Sequence, residues 1–176
     1  MSHPRVSRRG QSLIEAMIAL SVLTAGFMGI ATLLARSFFL NRVISDRITA
    51  NYLAVEGLEI AKNLIDHDVY ESASGDPSFF WGKCFSSTGD VQLDYTTTGC
   101  GTLTAFVIPG NPLMLNPTTH LYGYNPAGAV ATYFTREVRV VEAGNEITVD
   151  SIVRWSTGAA VNQSIDLENV FYNWQP

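Results

Sequence analysis

Apolar and polar positions divide this chain into three unequal parts. Residues 16–35 contain no charge at all. A helix over that run rises about 30 Å, the thickness of a bilayer's hydrocarbon core. Polar residues then enter on one side only. Ala50, Leu53, Ala54, Gly57, Leu58, Ala61, Leu64 and Ile65 recur at helical spacing, while Arg47, Asn51, Glu56, Glu59, Lys62 and Asn63 fall mostly elsewhere. The pattern predicts one helix from about Ser12 to about Asp66, apolar all round in its first half and carrying one buried stripe in its second. Gly57 costs such a helix about 1 kcal/mol relative to Ala, which implies close packing against another backbone. Asp66, His67 and Asp68 read as the solvated helix end, because adjacent helical residues do not face one another as metal ligands would.

Beyond Tyr70 the helical period disappears. Residues 70–129 are rich in Gly, Ser, Thr, Asn and Pro, with strand-like pieces at 91–95 and 102–108. Turn signals stand at Gly75-Asp76-Pro77, Pro109-Gly110-Asn111-Pro112 and Asn125-Pro126. Phe79, Phe80, Trp81, Phe85, Tyr122 and Tyr124 suit either packing over a small sheet or a sugar-binding, adhesive surface. The last third alternates with period two. Residues 133–141 are rich in strand formers; Ile147, Val149, Ser151, Val153 and Trp155 share one face, opposite Thr148, Asp150, Ile152 and Arg154; and Ile165, Leu167, Asn169 and Phe171 alternate again. Short loops at 142–146 and 156–162 make these strands an antiparallel meander. Its apolar face needs a cover, and the stripe from Ala50 to Ile65 is the obvious one. The expected class is therefore α+β: a long N-terminal α-helix whose C-terminal half packs on an antiparallel sheet.

Charge excludes one class of partner. The formal net charge is −5. Arg5, Arg8 and Arg9 stand in residues 1–10 with no acid, so a chain starting at Gln11 keeps 8 basic against 16 acidic groups, a net of −8. Nucleic acid, which needs a basic footprint, is not expected. Cys84 and Cys100 are sixteen positions apart. They form either a disulfide, worth about 3 kcal/mol in the chain-entropy model, or two buried thiols. The membrane-targeting segment before them implies an oxidising compartment and favours the disulfide.

The first ten residues are short, polar and basic, which places the N-terminus on the cytoplasmic side. An ordinary signal peptide has a shorter apolar run and a clear A-x-A site; an uncleaved signal anchor fits the length. The boundary itself carries more. Gly10-Gln11-Ser12-Leu13-Ile14-Glu15 resembles the prepilin leader of type IV pilins and type II secretion pseudopilins. In these a basic leader ends in Gly and the fifth residue of the mature chain is Glu. The continuation Glu15-Ala16-Met17-Ile18-Ala19-Leu20 and Gly26-Phe27-Met28-Gly29-Ile30 looks most like minor pilins of the V type and the I-type pseudopilin. The chain departs from the commonest pattern at Gln11, where Phe is usual.

The resemblance implies a leader at 1–10, a transmembrane and filament-core helix at 11–35, and a headgroup at 36–176 with an amphipathic helix over 36–66. It implies cleavage between Gly10 and Gln11 by a prepilin peptidase and N-methylation of Gln11. It further implies an inner-membrane prepilin with its headgroup outside, handled by an assembly platform, then an extracellular or periplasmic filament packed from other pilin subunits. Physically, Glu15 is a carboxylate at the lip of an apolar run, where a charge in lipid costs about 3 kcal/mol without a partner. The α-amino group of Gln11 in an adjacent subunit supplies that partner, making Glu15 a registry device for assembly. A tip subunit that binds surfaces through its loops is the alternative. Only His3, His67 and His120 are present as histidines, and no phosphate loop or catalytic motif occurs. No catalytic residue, metal or cofactor is expected; Asp90 and Asp94 lack the ordered run of oxygen ligands that calcium requires.

Overall fold

The computed structural model describes residues 11–86, 89–157 and 160–173. Residues 1–10, the expected leader with Gly10 among them, lie outside the described residues. Helix α1 spans Gln11–Ala73. Its contacts assign it to two units, Met1–Ile44 and Ser45–Pro176, each described by itself.

In the first unit every described side chain from Ser12 to Arg42 is exposed. The helix is long and apolar enough to cross a membrane. Its few hydroxyls do not disturb that: Ser21 Oγ donates to the Ile18 carbonyl at 2.8 Å, Thr24 Oγ1 to Leu20 at 2.9 Å and Thr32 Oγ1 to Gly29 at 2.8 Å. These three hydroxyls are satisfied within the helix, which is what a hydrocarbon environment would require of them.

In the second unit α1 continues past the expected end at Asp66 and stops only at Ala73. The stop signal was in the sequence, in Gly75-Asp76-Pro77. Gly75 takes φ 89, its N–H donates to the Ser72 carbonyl at 3.1 Å, and the Asp76 N–H donates to Glu71 at 3.4 Å. This is a Schellman ending, with Gly in the left-handed position and Pro just beyond. The extra turns bury Asp68 completely, so it is not part of a solvated helix end.

Among the described residues seven antiparallel strands follow: β1 (Val91–Gln92), β2 (Thr104–Ala105), β3 (Pro112–Leu115), β4 (Tyr122–Gly123), β5 (Val130–Ala143), β6 (Glu146–Thr157) and β7 (Ala160–Tyr172). β5, β6 and β7 form the meander, with Val140 opposite Val149 and Val149 opposite Asn169. Ala143 faces Glu146 across a two-residue turn, and Gly144 there takes φ 64, the positive φ that tight hairpins need. The other edge of β5 carries β3 along its first half, Leu115 opposite Val130, and β1 beyond it, Val91 opposite Val138. β4 extends the sheet from β3, and β2 extends it from β1.

The expected stripe is the buried one: Ala50, Leu53, Ala54, Ala61, Leu64 and Ile65 are all at most 3% exposed. They meet the inner face of the sheet in two clusters. One joins Ala61, Leu64 and Ile65 to Cys84, Val91, Leu93, Val138, Ile147 and Val149; the other joins Ala50, Leu53 and Ala54 to Leu113, Phe134, Val153 and Trp155. Each fully buried Ile, Leu or Val contributes about 1.5–3 kcal/mol. Between the clusters Gly57 lets the helix approach, but what a Cβ there would strike is the Ser151 hydroxyl and, at 3.0 Å, Arg136 Cδ. Side chains, not a second backbone, impose this glycine.

Candidate functional site

The first unit presents the largest chemical anomaly. Leu23, Phe27 and Met28 are 69%, 74% and 71% exposed, and the same holds along both flanks of the run. Contiguous apolar surface on this scale marks a membrane segment or a protein interface. Gly26 and Gly29 have nothing near the position a Cβ would occupy, so they leave a flat strip on the helix. Glu15 is exposed one turn into the helix and has no ion pair among the described residues. Gln11 opens the helix; the bond to Gly10 lies outside the described residues. No charged residue follows Glu15 until Arg36, so the apolar surface and its one acid form a single feature.

The second unit spends its polar side chains internally. Arg136, fully buried, stands on the inner face of β5 between Phe134 and Val138. Its Nη1 donates to the Leu53 carbonyl at 2.8 Å and to Glu56 Oε2 at 2.9 Å, and its Nη2 donates to the Leu93 carbonyl. Tyr124 Oη in turn donates to the Arg136 carbonyl at 3.0 Å, and burial pushes the Tyr124 phenol up to about 12. One guanidinium thus ties helix, sheet and loop together. Sequence reading missed it, though strand alternation places position 136 on the inward face.

Asp94 does the same for the loops. Its Oδ1 accepts from the Thr96 N–H at 2.9 Å and the Thr96 hydroxyl at 2.6 Å, and its Oδ2 accepts from the Tyr124 N–H at 2.9 Å. Burial works to raise its carboxyl pKa, but these hydrogen bonds and nearby Arg136 outweigh it and leave the carboxyl below its ordinary value. Asp90 is 3.4 Å from Arg139. The two acids that calcium would have needed are thus committed to separate protein partners. Beside Asp94 lies a polar cleft of about 230 Å³ lined by Gln92, Tyr95, Thr104, Asn111 and Tyr124 among others.

Cys84 and Cys100 are joined as a disulfide. The bond pins the loop that carries β1 against the first core cluster, where Cys84 is 3% exposed. Of the aromatics left open between packing and adhesion, Phe85 is buried, and Trp81, Tyr122 and Tyr124 pack on the core; Phe80 stays 50% exposed.

The structure therefore separates two surfaces. The second unit covers the apolar stripe of its own helix with its sheet, whereas the apolar helix surface with Glu15 has no cover among the described residues. No family model, no curated protein and no solved structure matches this chain.

Proposed function

We propose that this chain is a structural subunit of a type IV pilus-like filament, assembled through its apolar N-terminal helix after removal of the leader. The observation that carries the reading is the uncovered run of residues 16–35, together with Glu15 at its start, ahead of a unit whose sheet covers the apolar stripe of its own helix. A prepilin peptidase cuts between Gly10 and Gln11 and methylates the new amine. The subunit waits in the inner membrane with its headgroup outside, and lipid covers the helix. An assembly platform then transfers it to the filament, where neighbouring helices replace lipid, approaching closely along the small residues Ala25, Gly26 and Gly29.

In that environment Glu15 needs a cation, and the α-amino group of Gln11 in an adjacent subunit provides it. A slip by one subunit would leave an uncompensated buried charge, which costs about 3–5 kcal/mol. Glu15 thereby fixes axial register. The test is incorporation of Glu15→Ala into filaments of the protein's own host: headgroup folding stays intact and incorporation is lost. Normal incorporation would contradict the reading.

A tip or adhesion role is the second reading, favoured by one observation. Val107 and Ile108 are 71% and 87% exposed at a loop near the disulfide-pinned segment. Replacing both with Ser separates the readings: filaments that form normally but fail to attach support a surface-binding role, and unchanged attachment removes it.

A further inference from the structure

One buried ionisable group serves neither reading. Asp68 stands on the inner side of α1 and is completely buried. Its Oδ2 accepts from the Cys84 backbone N–H at 2.9 Å, while its Oδ1 lies 3.3 Å from Cys84 Sγ and 3.5 Å from Cys100 Sγ. Disulfide sulfurs carry no proton, so neither approach is a hydrogen bond donated by sulfur. The geometry is instead that of a carboxyl group placed to exchange a proton with either sulfur once the bond opens. The two sulfurs differ in access: Cys84 is 3% exposed and Cys100 is half-buried.

We propose that Asp68 is the proton-exchange group of the Cys84–Cys100 disulfide, making that bond open and close by thiol–disulfide exchange within the folded headgroup. Opening begins when the thiolate of an external dithiol attacks Sγ of Cys100, the less buried of the two residues. A new S–S bond forms there, the Cys84–Cys100 bond breaks, and its electron pair leaves on Cys84 Sγ. Asp68 delivers its carboxyl proton to that sulfur. The second thiol of the reductant, having lost its proton to water, then displaces Cys100, which takes a proton from water. The dithiol is oxidised to a disulfide, and Asp68 recovers its proton from solvent. Closing runs in reverse with an external disulfide as oxidant: Asp68 removes the Cys84 thiol proton, and the resulting thiolate attacks the mixed disulfide at Cys100. A leaving thiolate buried away from water is costly without such a donor.

The electrostatic surroundings support a proton on Asp68. Burial raises its carboxyl pKa above the ordinary value, against the opposing influence of the Cys84 N–H and of two basic side chains, His67 on the same helix and Lys83 in the following loop. Lys83 is itself drawn over the Phe79 ring, 4.0 Å from its centroid. Because the folded state favours the protonated form, stability from this group is fully present below the unfolded pKa and is lost as pH rises through the folded one.

Asp68→Asn retains shape and an oxygen for the Cys84 N–H but cannot exchange a proton. The full chain in detergent is reduced with dithiothreitol across pH, each rate divided by that for oxidised glutathione under the same conditions. The wild-type ratio is expected to fall as pH rises through the Asp68 titration. The Asn variant should show a flat ratio, about 100-fold lower on the acid side, the lower end of what a positioned proton donor contributes. Slowing well short of about 100-fold, or an Asn variant that keeps the wild-type pH profile, overturns the proposal. If the Asn variant fails to fold, the wild-type profile alone decides: a pH-independent ratio, or a rate independent of reductant concentration because the bond opens only on unfolding, overturns it.

Discussion

On α1, Leu23, Phe27 and Met28 are 69%, 74% and 71% exposed, whereas Leu53, Leu64 and Ile65 are 3%, 2% and 1% exposed. The residue types are alike; what differs is their arrangement around the helix and where the cover comes from. Residues 50–65 concentrate small and apolar side chains on one stripe and leave Glu59, Lys62 and Asn63 outside, so one sheet suffices to bury them. Residues 16–35 are apolar on every side, and no single sheet from the same chain could cover such a surface. One region carries its cover in its own sequence, and the other has none among the described residues. Stability and assembly should therefore respond to different substitutions.

The comparison breaks most visibly at Arg136. Arg136→Ala removes the cation shared by Glu56, the Leu53 carbonyl and the Leu93 carbonyl, and is expected to cost about 3–5 kcal/mol in denaturant unfolding of the headgroup. Arg136→Met, closer in volume, should recover part of that loss. Asp94→Asn is expected to cost about 1–3 kcal/mol near neutral pH, the usual range for hydrogen bonds to a charged group. Asp94 has a depressed carboxyl pKa, so its contribution is present above the unfolded value and lost as pH falls through the folded one. Unfolding curves of wild type and variant should accordingly converge on acidification.

Gly57→Ala sharpens the contrast, because an added methyl that favours a free helix must here meet Ser151 and Arg136. It is expected to cost about 1–3 kcal/mol of overpacking. Adding Ser151→Ala, which removes the hydroxyl and leaves Arg136 Cδ at 3.0 Å and the residue 151 Cβ at 3.4 Å, should return part of it. At the small end, Phe27→Ala should change headgroup stability by no more than about 0.5 kcal/mol, as for an exposed side chain. Its effect should appear as reduced recovery in sheared filaments. A large loss of headgroup stability from Phe27→Ala would mean that the two regions are not separable in this way.

Hydrophobic period made much of this legible. The stripe on α1 and the three long strands follow from spacing alone, because one-sided burial imposes periods of 3.6 and 2 on the sequence. The short strands β3 and β4 were not legible: Pro112 and the flanking turn residues resemble loop, and only the long edge of β5 makes β3 a strand, to which β4 then pairs. Asp68 looked like a helix end because its cover, the disulfide-bearing loop, arrives from sixteen residues away in sequence. Arg136 stood in a readable inward position, yet nothing local announced that Glu56, Leu53 and Leu93 would surround it. The apolar run was legible as a helix long enough to cross a membrane, since that follows from its length and its lack of charge alone.

The most direct measurement is the mass of the N-terminal peptide of this chain in filaments sheared from its own host. The proposed function requires a chain that begins at Gln11 with a methylated amine, recovered together with other filament subunits. A chain that begins at Met1 or Ser2 and remains wholly in the membrane fraction would contradict it.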